Sequence, residues 1–156
     1  MKSNIEGVII KELTLHKDSR GWLIEIFRQD ELDSCLFPVM SYISMTKPGE
    51  SRGPHEHKEQ TDLFCFFGTS DFKLYLWDNR TESKSYQKSE ILTIVKDTRY
   101  SIIIPPGVVH GYKNFGDVEG LIINAPNQLH AGEGKRGEVD VIRYEDDPAC
   151  PFRMED

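Results

Sequence analysis

The chain is predicted to be all-β, an antiparallel sandwich or barrel built from short strands. Apolar, β-rich stretches recur about every ten residues, and Gly, Pro, Asn and Asp cluster between them. No apolar stripe of helical period persists for the length of a real helix. Many short strands separated by such turns bury one face of each strand in a sandwich or a barrel.

Val8-Ile9-Ile10 and Leu13-Thr14-Leu15 open the series, and Lys17-Asp18-Ser19-Arg20-Gly21 supplies a turn. Residues 22–27 form the next strand, in which Glu25 is a lone charge among apolar neighbours. Residues 29–35 are the one place for a short helix. A strand over 39–45 is closed by Lys47-Pro48-Gly49, and strands over 61–67, 72–77, 90–95, 100–104, 112–115 and 120–124 follow. From Ala125 the pattern changes. Gly132-Glu133-Gly134-Lys135-Arg136-Gly137 reads as a flexible loop, and Glu145-Asp146-Asp147-Pro148 ends the ordered region in a short irregular C-terminal tail.

The 156 residues, 38% of them apolar, suit one core, so residues 1–156 are taken as a single domain. Acidic residues outnumber basic ones 26 to 19, giving a net charge of −7. That charge disfavours nucleic acid and anionic membranes as partners. No apolar run reaches the roughly 18 residues of a membrane-spanning helix, and Met1-Lys2-Ser3-Asn4-Ile5-Glu6 lacks a secretory apolar stretch. Cys35, Cys65 and Cys150 are odd in number and form no CxxC pair, as expected of reduced thiols in a cytoplasmic protein.

Two segments hold three of the five histidines. The first runs from Gly49 through Arg52-Gly53-Pro54-His55-Glu56-His57 to Asp62; the second is Pro105-Pro106-Gly107-Val108-Val109-His110-Gly111-Tyr112-Lys113-Asn114. Residues two apart on a strand share a face, so His55 and His57 point the same way. A turn at Pro106-Gly107 brings His110 onto a neighbouring strand.

Pro105, Gly107, His110 and Asn114 together resemble the PxGxxHxxxN signature of cupins, and Gly49, His55 and His57 resemble its companion glycine-HxH motif, with Asp62 in place of the usual Glu. The resemblance implies a cupin jelly roll, a double-stranded β-helix. A narrower likeness rests on Asp18-Ser19-Arg20-Gly21-Trp22 with Glu25 and Phe27, on Ser44 with Arg52-Gly53-Pro54-His55, on Asp78-Asn79-Arg80 with Ser83, and on the segment 104–112. Over roughly residues 5 to 126 the chain resembles the dTDP-4-dehydrorhamnose 3,5-epimerases.

That resemblance implies a homodimeric, metal-free isomerase acting on a nucleotide-linked 4-keto-6-deoxysugar in polysaccharide biosynthesis. His55 would be the general base, a role suited to a pKa near working pH. Arg20, Arg52 and His110 would sit at the diphosphate, where a guanidinium fork matches phosphate oxygens. Glu25 and Phe27 would line the nucleotide side, and Asn124 would touch substrate. Members carry an enolate-stabilising lysine in a Gly-Lys-Leu context, where this chain has Gln60-Thr61-Asp62-Leu63, and a proton-donating tyrosine that is absent from residues 122–125. They also have a C-terminal carboxylate that orients the histidine; here that region is short.

Other readings stand beside this one. His55, His57, Asp62 and His110 form a ligand set suited to a divalent transition metal, as in a metal-dependent isomerase or oxygenase. A non-catalytic sugar-binding cupin is the third. Arg20 and Arg52 also suit salt bridges at a barrel rim, Glu25 suits pairing with one of them, and His57 suits a ligand, a pocket wall or a structural hydrogen bond.

Overall fold

Along the central strands, side chains of one parity turn inward. Phe64 and Phe66, Phe72, Leu74 and Leu76, Ile102 and Ile104, and Val108, Tyr112 and Ile122 are all nearly inaccessible and form one cluster. In the computed structural model, which describes residues 1–155, this core lies between two five-stranded sheets. The strands are β1 (Ile9–Glu12), β2 (Leu15–Asp18), β3 (Gly21–Ile24), β4 (Tyr42–Thr46), β5 (Ser51–Glu56) and β6 (Asp62–Phe66). β7 (Phe72–Asp78), β8 (Ser89–Ile94), β9 (Tyr100–Ile104), β10 (Val108–Asn114), β11 (Gly120–Asn124) and β12 (Ile142–Arg143) complete the series. One sheet has the order β1-β9-β6-β11-β4 and the other β12-β5-β10-β7-β8, with β2 and β3 as a separate hairpin. Neighbouring strands pair antiparallel throughout. This is the predicted jelly roll. Among the described residues, no helix is long and apolar enough to cross a membrane.

The outer face of the first sheet is also covered. Leu63, Ile103 and Ala125 form a second buried cluster beneath Ile26, Leu32 and Leu36. β6 is therefore buried on both faces.

Local details depart from expectation where side chains reach the backbone. The predicted turn over 17–21 contracts to Ser19-Arg20, because the Asp18 carboxylate accepts the Arg20 backbone N–H at 2.8 Å and Gly21 supplies a φ of +141°. β3 stops at Ile24, so Glu25 and Phe27 lie beyond it. The helix expected over 29–35 is two single 3-10 turns, Gln29–Glu31 and Ser34–Leu36, with no buried residue to hold a longer one. The tail is not merely irregular. β12 joins the second sheet by pairing with β5, an edge that needs a partner for its backbone groups.

β5 (Ser-Arg-Gly-Pro-His-Glu) has no apolar run, yet it lies beside β10 with His55 opposite His110. Gly53 permits this approach. Its φ is +83°, and a Cβ there would sit 2.7 Å from the His110 carbonyl oxygen and 2.9 Å from the Gly111 Cα. Gly49 has a similar φ of +79° but open space around it. Gly49→Ala is expected to cost about 1 kcal/mol, the left-handed backbone term alone. Gly53→Ala is expected to cost more, because backbone atoms must also move apart. Chemical denaturation of the two variants beside the wild type measures the difference, and equal losses would contradict the crowding.

Candidate active site

The two histidine segments converge. His55 and His110 are register partners on β5 and β10, with ring centroids 4.6 Å apart, and the His57 ring lies 5.7 Å from the first and 6.1 Å from the second. The opposite sheet completes the cluster. Asp62, the first residue of β6, is fully buried and reaches across to these rings. One ligand atom from each of His55, His57, Asp62 and His110 lies within 4.8 Å of all the others.

A buried carboxylate requires partners. Asp62 Oδ1 accepts the amides of Gln60 and Asn124, both at 2.8 Å. Its Oδ2 stands 3.1 Å from His110 Nε2 and 3.3 Å from His57 Nε2. Burial alone would raise this carboxyl, but the facing imidazoles hold it far below the usual carboxylate range. Burial lowers His57 in turn, and the Asp62 charge outweighs it, so that imidazole is raised.

Above the cluster opens a cavity of about 960 Å³, walled by Tyr42, Ser44, Arg52, His55, His57 and Tyr112 and by the loop carrying Lys135 and Asp140. Its size falls in the range of ligand sites. His110 is 2% exposed and Asn124 1% exposed, and neither lines the cavity. They support it from beneath. His110 donates from Nδ1 to the Val108 carbonyl at 3.0 Å. Arg52 does line the cavity, anchored by donation to the Met45 carbonyl at 3.0 Å.

The structure does not bring Arg20, Glu25 and Phe27 to this cavity within one chain. Arg20 is 87% exposed on the β2–β3 hairpin and pairs with Asp18; Glu25 pairs with Arg28 at 3.5 Å. Phe27 lines a separate hollow with Ile9 and Leu32. These residues belong to a hairpin and connection that project from the sheets, so sequence order does not carry them to the histidines.

Three further residues serve the site without having been anticipated. Glu145 lies in the short C-terminal region and brings a carboxylate to His55. Backbone N–H groups of Tyr144 and Glu145 donate to the Pro54 carbonyl, and the Tyr144 hydroxyl donates to the buried Glu56 at 2.7 Å. This strap sets Glu145 Oε2 3.7 Å from His55 Nδ1. The neighbouring imidazole lowers the Glu145 carboxyl, while burial lowers His55 against the opposing pull of Glu145. Asp140 caps the turn after His57: its carboxylate accepts the backbone N–H groups of Lys58, Glu59 and Gln60, and its carbonyl accepts from His57 Nδ1. Tyr42 supplies a phenol where residues 122–125 have none. It lies opposite Asn124 in the β4–β11 register, and its oxygen accepts the Asn124 amide at 2.9 Å. Shielding of the hydroxyl raises this phenol to about 12, against the opposing Asn124 bond. The signal for Tyr42 was its alternation with Ser44 and Thr46; Glu145 and Asp140 gave none.

The model of the dTDP-4-dehydrorhamnose 3,5-epimerase family matches residues 2–137. The chain is 37% identical over 129 residues to the probable low-salt glycan biosynthesis epimerase Agl13 of Haloferax volcanii, covering 81% of each chain. It is 35% identical over 119 residues to the spore coat polysaccharide biosynthesis protein SpsL of Bacillus subtilis, covering 76% of this chain and 78% of that one. A dTDP sugar isomerase from Desulfovibrio desulfuricans superposes with a TM-score of 0.81 at 24% identity, over 97% of this chain and 94% of the other, which shows the shared fold. By the family match and these relatives, the chain belongs to the dTDP-4-dehydrorhamnose 3,5-epimerase family.

Proposed function

We propose that the cavity takes a nucleotide-linked 4-keto-6-deoxysugar and inverts a carbon next to the ketone. The observation that supports this is His55, partly open to the cavity and backed by Glu145 on its Nδ1 side. A carboxylate on one ring nitrogen orients the imidazole and stabilises its protonated form, which leaves Nε2 as the base. His55 takes the proton from the carbon, the C–H electron pair becomes the enolate double bond, and the ketone oxygen gains the negative charge. A proton returned to the opposite face inverts the centre. Tyr42 is our choice for that donor: Asn124 already donates to its oxygen, which leaves the phenolic O–H free to give its proton. Solvent then restores Tyr42 and takes the proton from His55, so the reaction is a net isomerisation.

Arg52 and Lys135, both on the cavity wall, suit the diphosphate. Arg20, Glu25 and Phe27 serve a second copy in this reading. Trp22 and Leu23 are 56% and 60% exposed beside Arg20, an apolar hairpin face suited to a homodimer contact that delivers these residues to the neighbouring cavity. The three free thiols accord with a cytoplasmic setting.

His55→Ala is expected to slow solvent-deuterium incorporation into a dTDP-4-keto-6-deoxyhexose by about 10²- to 10⁴-fold, the usual contribution of a general base. Tyr42→Phe should retain exchange better than it retains formation of the inverted product. Mass spectrometry and NMR of the recovered sugar read both, and undiminished exchange in His55→Ala would remove the base.

The base works when neutral, and burial lowers His55, so activity should rise with pH through a midpoint below the ordinary imidazole value of 6.5. Glu145 favours the protonated ring. Glu145→Gln should therefore move that midpoint lower still while reducing the plateau rate. A pH profile of kcat/KM checks the sign, and a midpoint that moved upward would contradict the pairing.

Arg20→Ala and His55→Ala chains, each impaired alone, should recover activity when mixed, because a mixed dimer contains one site with both residues. Mixtures no more active than the sum of their parts would exclude the shared site.

A further inference from the structure

Residues 142–155 meet the second sheet first at its edge and then on its outer face. At the edge the hold is slight. β12 pairs with β5 only through Ile142 and Arg143, and the backbone N–H groups of Tyr144 and Glu145 then converge on the Pro54 carbonyl at 3.0 and 3.1 Å. Residues 145–149 are exposed. So short a strand, followed by an exposed turn, fixes little by itself. The Glu145 carboxylate also pairs with Arg143 at 2.5 Å, but that arginine is 56% exposed, and an ion pair in water adds little.

The outer face supplies a firmer anchor. Leu74, Leu76, Val108 and Tyr112 belong to the core, so alternation along β7 and β10 turns Tyr75, Trp77, Val109 and Gly111 outward. Tyr75 and Val109 are nonetheless nearly inaccessible, which requires a cover. Residues 150–155 provide it. The Phe152 ring stands 5.6 Å from the Trp77 ring, and the Tyr75 hydroxyl donates to the Glu155 carbonyl at 3.1 Å. A Cβ on Gly111 would lie 2.6 Å from the Met154 sulfur, so the bare glycine is what lets Met154 settle on β10. Cys150, where the chain turns onto this face, is buried as well.

Phe152 joins this outer layer to the cavity. Its ring meets that of Tyr144 at 4.9 Å and 74°, the edge-to-face arrangement that aromatic pairs favour. The Tyr144 hydroxyl donates to the buried Glu56 at 2.7 Å, and the Asn79 amide donates to the same carboxylate at 3.2 Å. Tyr144 is therefore gripped by its ring and by its oxygen, and Glu145 is the next residue.

We propose that residues 150–155 form a clasp that positions Glu145 against His55, with Phe152 as its positioning residue, acting through Tyr144. The clasp rests on the roles given to His55 and Glu145 under the epimerase reading. A base whose orienting partner moves by about 1 Å can lose about a hundredfold in rate. Phe152 touches no substrate in this arrangement, yet it governs how well the proton-abstracting pair is aligned.

The test uses the full chain and a dTDP-4-keto-6-deoxyhexose. Phe152→Ala is expected to lower kcat about 10- to 100-fold with KM unchanged within about twofold. Phe152→Leu, which keeps apolar bulk, should recover most of the loss. The effect must pass through Glu145, so Phe152→Ala should cost less than about threefold more in a Glu145→Gln chain. Losses that multiply, or a rise in KM alone, overturn the assignment. Amide hydrogen exchange read by mass spectrometry follows the clasp without substrate. Peptides covering residues 142–147 should exchange at least about tenfold faster in Phe152→Ala, while those of β6 and β9 keep their wild-type rates. Should Phe152→Ala not fold, Tyr144→Phe keeps the ring and loses only the bond to Glu56; unchanged kcat and exchange in that variant overturn the clasp. Released amides in a protein whose wild type turns over no substrate keep the clasp and remove the epimerase reading. Turnover with kcat and exchange unaltered by Phe152→Ala does the reverse.

Discussion

A fully buried carboxylate governs the arrangement of this protein. Asp62 starts a strand whose other residues pack into apolar surroundings on both faces, so nothing near it in sequence except Gln60 can solvate its charge. The charge must be met from elsewhere, and the surrounding groups are drawn from both sheets. Asn124 comes from the adjacent strand, His110 from the facing sheet and His57 from the turn that follows β5. An uncompensated charge at such depth costs several kcal/mol, so the sheet-to-sheet contact is specific as well as apolar. The same network extends through Asn124 to the Tyr42 hydroxyl, linking the buried anion to the cavity wall.

The C-terminal strap is the second organising element. It adds a short strand to the edge of β5 and thereby contributes two carboxylates with different work. Asp140 gathers three backbone N–H groups and fixes the turn that carries His57 and Gln60. Glu145 stands behind His55. Both lie outside residues 2–137, the segment that matches the family model. The strap's own anchors, Glu56 and the Pro54 carbonyl, belong to β5, so the strand that presents His55 also holds Glu145 beside it.

These constraints distribute charge within the cavity. Anionic groups lie at its floor and behind the proposed base, while Arg52 and Lys135 stand on the wall. A ligand carrying a diphosphate at one end and a ketone at the other matches that polarity. The exposed hairpin with Arg20, Trp22 and Leu23 is left without a role inside the single chain, which is why a second copy enters the proposed function.

The sequence by itself determined the all-β class, most of the strands and the convergence of His55, His57 and His110, because side-chain alternation and turn residues act over a few positions. It also held Asp62 as a possible fourth member. It put His55 on a strand but gave no bounds for β5, whose Arg-Gly-Pro-His composition has no apolar pattern, and it did not show that His110 and Asn124 support the cavity from below. Glu145, Asp140 and Tyr42 were beyond it for a related reason. Their positions depend on an edge strand some eighty residues from its partner and on the register between β4 and β11. Burial and long-range pairing are properties of the assembled sheets, so only the tertiary structure decided which polar residues face the cavity and which lie beneath it.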